Sequence, residues 1–389
     1  MQNLKSAFIQ RLKKTFPGLM QYPLESLVAE NLISPFTVEL DRSILAQAQK
    51  AVSLIFSMRE KASYLEHYKN VVAEKDLRDP GNKSIMMSYD FHVDTNNNLK
   101  LIEINTNAAF LALGHQMYEM KGDALPVADF NLEDIKKCIV TEMQLQGKTI
   151  DSSFKISITD DAPAEQRLFI EFLVYNELFS SWGWNSQIED YRDLFKNFQP
   201  DFIYNRYTDF FLTDSSSQSL RAKFLNRDIC LSPNPFEYLL LADKQRLIDW
   251  VQPAFLEQHG FAGDDLALLK EVLPMSFDLQ PENAEQIWAQ RKGLFFKPKN
   301  AFGSKQSYKG GSISRKTYDD ILKADMIAQQ FVPPSEKTFT TPEGPQSFKF
   351  DLRCYAYQGR LQMIVARIYQ GQVTNLRTPY GGFATVLFK

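Results

Sequence analysis

The sequence predicts a mixed α/β (α+β) fold: an N-terminal helical region, two antiparallel hairpins and a small parallel α/β unit. Three observations predict it. Leu45, Ala48, Val52, Ile55 and Leu65 recur at helical spacing between charges across residues 44–68. Apolar and polar residues alternate through 87–105 and again through 348–368, the period of half-buried strands. Over 154–206, strand-like runs alternate with helical ones, as in parallel strands joined by helices.

Composition sets the outer bounds. The 389 residues are 44% hydrophobic and 23% charged, enough for two or three cores. A net charge of −3 gives no general field for nucleic acid or anionic membrane, so any anion site is local. Cys138, Cys230 and Cys354 are isolated, with no CxxC pair, which argues against disulfides or zinc and fits a reducing cytoplasm. No run approaches the ~20 apolar residues of a membrane span. A soluble, cytoplasmic protein is expected.

Taken in order, residues 1–80 read as helical. Leu4, Phe8, Ile9, Leu12 and Phe16 form one helical face, and Lys5, Arg11, Lys13 and Lys14 interrupt any secretory apolar run. Asp79-Pro80-Gly81-Asn82 ends the region. Residues 85–110 then read as a hairpin. With Asn96-Asn97 as a two-residue turn, Asp90 lies opposite Glu103, and Asn105 follows on the same face. Two carboxylates facing each other across ~5 Å repel unless a cation lies between them. Oxygen donors with open positions suit Mg²⁺ shared with a phosphate substrate. A solvated hairpin face has the same alternation, and Asn105 on that face favours the metal. His92 shares the face, as a substrate contact or as a structural histidine.

Residues 126–150 read as a polar helix and link. Strands are expected at 154–159, 182–188 and 200–206, with a helix at 164–178. Ligands of such units bind at the carboxyl ends of the strands, which points to Asp160, Asn205 and Arg206 on the substrate side. Neither GxGxxG nor a full P-loop is present. A turn and helix at 231–250 hold Asp243-Lys244, a helix follows at 265–272, and 327–332 is a strand ended by Pro333-Pro334. Strand 348–357 returns as 361–368. A three-residue loop, 358–360, places Asp351 opposite Arg367 and aims Arg353 and Arg367 from one face, as a phosphate site requires.

Between these lies LFFKPKNAFGSKQSYKGGSIS, residues 294–314. Its apolar run delivers Lys297, and a loop follows in which Gly303, Gly310 and Gly311 free backbone N–H groups to turn toward phosphate oxygens. Lys305 and Lys309 add charge; Ser304, Ser307 and Ser312 add hydroxyl donors. A solvated surface loop has the same composition, so this stretch gains meaning only from its neighbours.

With these pieces in order, the chain resembles the ATP-grasp superfamily, in particular its circularly permuted members. Asp243-Lys244 resembles the family's first nucleotide lysine, and Phe296-Lys297-Pro298 the second, followed by the mobile glycine-rich loop. Ile327 to Val332 is similar to the hinge strand that reads adenine, which implicates Gln329, Gln330, Phe331 and Val332, with Glu336 as the acidic ribose contact. Arg353, Ala366-Arg367-Ile368 and Asn375 with Gly381-Gly382 resemble the arm of bacterial glutathione synthetase that holds phosphates and acylphosphate. In ordinary members the acidic hairpin follows that arm. Here Asp90 with Glu103-Ile104-Asn105 comes near the N-terminus, as in glutathionylspermidine synthetase-like and eukaryotic glutathione synthetase-like enzymes.

The resemblance implies an ATP- and Mg²⁺-dependent ligase that joins a carboxylate to an amine through an acylphosphate. Arg367, Arg353 and Asn375 would be its catalytic residues, and Asp90, Glu103 and Asn105 its metal ligands. The substrates would be small molecules: amino acid, peptide or polyamine. A small-molecule kinase on the same fold, or a non-catalytic nucleotide-binding protein, are the alternatives. It further implies an N-terminal region with the metal hairpin (1–125), a substrate domain (126–235), a nucleotide lobe with its lid (236–332) and a C-terminal lobe (333–389).

Overall fold

A computed structural model describes residues 4–299 and 306–389. Gly303, Ser304 and Lys305 of the expected lid lie outside the described residues.

The largest sheet is assembled from both ends of the chain. Its order is Ile33–Leu40, Gly382–Phe388, Arg360–Tyr369, Gly344–Tyr357, Met87–Val93, Leu99–Asn105, with Ser335–Thr341 paired to the first half of Gly344–Tyr357. The first two strands run parallel and the remaining ladders antiparallel. Residues 1–80 are therefore not helical throughout. Ile33–Leu40 carries the β-branched and aromatic residues Ile33, Phe36, Thr37 and Val38, and its partner lies some 350 residues away in sequence. A non-local ladder settles what local periodicity leaves undecided.

Helices cover both faces of this sheet. On one, Arg42–Met58 buries Ile44, Ala48, Val52 and Ile55. The helix expected over 44–68 is two, Arg42–Met58 and Ala62–Glu74. Arg59, in the break between them, forms a buried ion pair with Glu237. On the other face Leu111–Lys121 packs so closely that a Cβ on Gly114 would lie 2.5 Å from Met363 Cε. Leu4–Thr15 packs on that helix through buried Phe8, Ile9 and Leu12, as its apolar face predicts.

Both hairpins reach the expected pairing by an unexpected route. Asp90 does lie opposite Glu103, and Ser88 opposite Asn105. The turn, however, is a three-residue loop closed by Asp94 N–H to Asn98 O at 2.8 Å, with Asn97 left-handed (φ 60°). Asp94 Oδ1 accepts from the N–H groups of Asn96 and Asn98, which fixes this longer loop. A bulge between Asp90 and Phe91 then restores the register. In the C-terminal hairpin Asp351 pairs with Arg367 as expected, but the loop is two residues, not three. Gln358 (φ 48°) and Gly359 (φ 70°) make a primed turn, and a bulge near Tyr355 supplies the missing residue.

Two four-stranded sheets complete the molecule. One is parallel: Asn185–Asp190, Lys155–Asp160, Phe202–Asn205, Cys230–Ser232. The other is antiparallel: Tyr308–Lys309, Leu294–Pro298, Met326–Gln330, Ser276–Asp278. The helix expected within 231–250 is interrupted. Asn234 caps Pro235–Glu237, a wide π turn Tyr238–Ala242 follows, and Gln245–Asp249 restarts after Asp243-Lys244. The Asp243 N–H reaches back five residues to Tyr238 O at 2.8 Å. That break holds Lys244 at a helix start rather than along a helix flank.

Candidate active site

The small antiparallel sheet faces the acidic hairpin across a cavity of 360 Å³. Lys244, Lys297, Glu103 and Asn105 line it, with Gln329, Gln330, Phe331, Val332, Arg353, Arg367 and Asn375. These are segments from the front and the back of the chain, as the resemblance requires.

Lys297 arrives on Leu294–Pro298, paired with Ile327, and is 6% exposed. Its Nζ donates to Ile102 O at 2.9 Å and Gln329 Oε1 at 2.8 Å. Burial lowers its pKa to about 8, against the pull of nearby Glu103, while Lys244 adds to the lowering. A buried ammonium so placed is poised to gain an anionic partner.

Opposite it, the paired strands bring four charges together. Arg353 donates to both oxygens of Asp90, Nε at 3.0 Å and Nη2 at 2.7 Å. Arg367 Nη2 reaches Asp90 at 2.9 Å, and its Nε and Nη2 grip Asp351 at 2.7 and 3.0 Å. Thr374 Oγ1 donates to Asp351 Oδ2 at 2.7 Å. Burial alone would raise the Asp90 carboxyl; the two guanidinium groups override it and hold it well below the usual carboxylate range. Both arginines stay charged despite burial, through Asp90 and Asp351. Within the network the charges cancel. Lys244, Lys297 and Arg167 outnumber Glu103 around the rest of the cavity, so its wall is electropositive.

Glu103 and Asn105 offer side-chain oxygens to this cavity, a sparse donor set of the kind Mg²⁺ accepts when phosphates and water supply the rest. Asp90 stands behind them, 1% exposed, with Asn105 Nδ2 on its Oδ2 at 3.2 Å. It could join as a ligand only by exchanging an arginine. Among the described residues no group of three or more His, Cys, Asp and Glu is placed to hold a metal ion.

His92 is on the expected face. Its Nδ1 lies 2.8 Å from Val332 O, and burial lowers its pKa, holding the ring neutral.

Other expected residues sit differently. Gly310, Gly311 and Ser312 form a short 3₁₀ turn outside the cavity lining. A Cβ on Gly310 would lie 2.0 Å from Arg291 O, so this glycine serves close packing of two backbones. Glu336 is exposed on Ser335–Thr341, takes a hydrogen bond from Ser347 at 3.3 Å, and does not line the cavity. Asn375 does line it, yet its amide is fully engaged inside its own loop. Oδ1 accepts from Arg377 N, Thr378 N and Thr378 Oγ1, and Nδ2 donates to Gln370 O and Val373 O. Asp160, Asn205 and Arg206 are buried at the strand ends but outside the cavity lining. Arg206 pairs with Glu171 at 3.0 Å. The parallel sheet instead sends Arg167 to the cavity, from the segment after Lys155–Asp160. That exposed arginine lies in no strand or helix, and nothing in its local sequence marks it.

No protein-family model matches the sequence, and neither does any curated protein. Among solved structures, a glutathione synthetase-like effector from Globodera pallida in its apo form aligns over 92% of this chain and 90% of its own, with 12% identity and a TM-score of 0.57. A putative gamma-glutamylcysteine synthetase from Methylobacillus flagellatus KT aligns over 86% and 84%, with 10% identity and a TM-score of 0.47. The ATP-grasp ligase PsnB, complexed with a minimal precursor, aligns over 57% and 78%, with 11% identity and a TM-score of 0.29.

Proposed function

We propose that this chain, which has the ATP-grasp fold of glutathione synthetase-like proteins, is an ATP-dependent ligase that joins a carboxylate to an amine. One observation carries the reading: a single cavity is lined at once by two lysines, the strand end 329–332, Glu103 with Asn105, and Arg353 with Arg367. A binder alone has no need of that acidic and cationic pairing at one end of a nucleotide slot.

Lys244 and Lys297 bind the triphosphate as fixed cations. A bound magnesium ion, held by Glu103 and Asn105 with Asp90 behind them, would neutralise charge building on the β–γ bridge. An oxygen of the substrate carboxylate attacks the γ phosphorus, the β–γ bond breaks, and ADP leaves with the bridging oxygen. Arg367, with Arg353, stabilises charge on the transferred phosphoryl group and on the acylphosphate that results. The amine nitrogen then attacks the acyl carbon. Phosphate leaves with the bonding pair, and the amine proton passes to it or to solvent. No side-chain nucleophile is used. Arg167, on the substrate-domain side of the same cavity, orients an anionic group of the substrate.

Incubation with ATP, Mg²⁺, hydroxylamine and pools of carboxylates tests this. The expected result is ADP together with a hydroxamate from at least one acid, the trapped acylphosphate. ADP with a phosphorylated hydroxyl compound and no hydroxamate would make the protein a kinase. No turnover with any pool would contradict the ligase reading.

A further inference from the structure

Among the described residues, every sheet edge but one is blunted. Ile33–Leu40 carries Pro35 and a register shift, Leu99–Asn105 carries Lys100, and Ser335–Thr341 carries Lys337. Tyr308–Lys309, Ser276–Asp278 and Cys230–Ser232 are two or three residues long. Short strands, prolines, lysines and bulges are the devices that keep an edge from pairing with another chain. Asn185–Asp190, the outer strand of the parallel sheet, has none of them. It is six residues long, runs in unbroken register with Lys155–Asp160, and contains no proline or basic residue. Its two acids are turned back onto their own chain. Glu189 accepts from Ser157 Oγ at 2.7 Å, and Asp190 from the Ala162 N–H at 2.9 Å.

The backbone of this strand decides what can pair with it. Asn185 N–H donates to Phe154 O and Tyr191 N–H to Asp160 O, both at 3.1 Å, and Glu189 O accepts from Thr159 Oγ1 at 3.0 Å. Odd-numbered residues therefore face the sheet, and Ser186, Ile188 and Asp190 present their N–H and C=O groups outward. Asp190 O is taken by the Asp193 N–H at 2.9 Å; the rest have no partner among the described residues. Beside them lies a groove of 500 Å³, walled by Tyr22, Pro163, Phe169 and Leu173 next to Ile188.

A second copy of the chain is the complement of this edge. Turned about a two-fold axis normal to the sheet, Ile188 meets its own counterpart and exchanges both hydrogen bonds with it, while the Asp190 N–H meets the Ser186 carbonyl. The side chains then match. Glu189 stands opposite Gln187 and Asp190 opposite Ser186, so each acid meets a neutral donor, and two isoleucines close over the groove. Sliding the copies one way sets Glu189 against Glu189; sliding them the other way sets Ile188 against Ser186 and takes the apolar pair apart.

We propose that two copies of this chain join antiparallel through Asn185–Asp190, about a two-fold axis at Ile188, and so make one continuous sheet of their two parallel sheets.

Sedimentation of the full chain over a concentration series tests it, and should show a monomer–dimer equilibrium. Ile188→Lys sets two ammonium groups against each other on the axis. It should raise the dissociation constant on the order of a hundredfold or more, with the circular dichroism of the chain unaltered. Ile188→Cys reads the register. Cα atoms of a hydrogen-bonded antiparallel pair lie about 5.5 Å apart, within disulfide reach, and the native Cys138, Cys230 and Cys354 are buried. On mild oxidation this variant should run as a covalent dimer, and Leu145→Cys, at an exposed position, should not. A chain that sediments as a monomer at every concentration would overturn the proposal. So would a dimer that Ile188→Lys leaves intact or that Ile188→Cys does not lock, since its interface would then lie elsewhere.

Discussion

Arg367 holds two carboxylates, Asp351 by two hydrogen bonds and Asp90 by one, and faces the cavity as it does so. Its removal should therefore be felt twice. Arg367→Ala should lower turnover by ~10²-fold or more, as loss of a preorganised charge-stabilising donor does. It also leaves buried Asp351 without its guanidinium, so the melting temperature should fall, a broken buried pair costing about 3–5 kcal/mol. ATP binding should remain measurable, because both lysines are intact. Full activity in that variant would remove Arg367 from the mechanism.

Lys297 carries a pH prediction. Burial lowers its pKa to about 8, so it is charged below that value and neutral above it. ATP affinity should weaken as pH rises past 8, by at most about tenfold per unit, and binding near pH 8 should take up a proton. The sign for folding is opposite. Between about 8 and the ordinary 10.5 the unfolded chain holds the extra proton, so raising pH through that window favours the unliganded fold. Calorimetry in buffers of different ionisation enthalpy reads the proton directly. A pH-independent affinity from 7 to 10 would contradict the placement of Lys297 at the phosphates.

Among the elements, the loop 370–381 shows how a site residue and a scaffold residue differ. Asn375 supplies five hydrogen bonds to its own loop, which also carries Thr374 onto Asp351. Asn375→Asp keeps the acceptor bonds and should retain more activity than Asn375→Ala. Hydrogen exchange at the Arg377 and Thr378 amides should quicken more in Asn375→Ala than in Asn375→Asp. Equal activity of the two variants, with unchanged exchange, would contradict a structural role.

The hairpins mark what the sequence makes legible. Alternation assigns faces, so the charged faces of both hairpins were readable, whereas the pairs Asp90–Glu103 and Asp351–Arg367 were reached through turn lengths that the structure does not have. Turn length was not readable, because a bulge offsets one residue of loop in each case, and a bulge leaves no mark in an alternating pattern. Leu111–Lys121 was missed for a related reason. It buries residues on every side, Leu111, Ala112, Leu113, Gln116, Met117 and Tyr118, so it has no polar face to set a period. Ile33–Leu40 needed a partner strand from the far end of the chain, which local pattern cannot supply.

At the scale of the molecule, one cavity is closed by three separate bodies of structure. The large sheet brings Glu103, Arg353 and Arg367, the small antiparallel sheet brings Lys297 and Gln329, and the parallel unit brings Arg167. If that unit orients the substrate, Arg167→Ala should raise the KM of the carboxylate substrate with little change in ATP affinity. A loss of ATP binding instead would place Arg167 at the nucleotide.

The most direct measurement is a crystal structure with a non-hydrolysable ATP analogue and Mg²⁺. The triphosphate should lie between Glu103 on one side and Lys297 and Lys244 on the other, its terminal phosphate within reach of Arg367. A nucleotide bound elsewhere, or one touching the lysines with Glu103 and Arg367 far from its phosphates, would contradict the account.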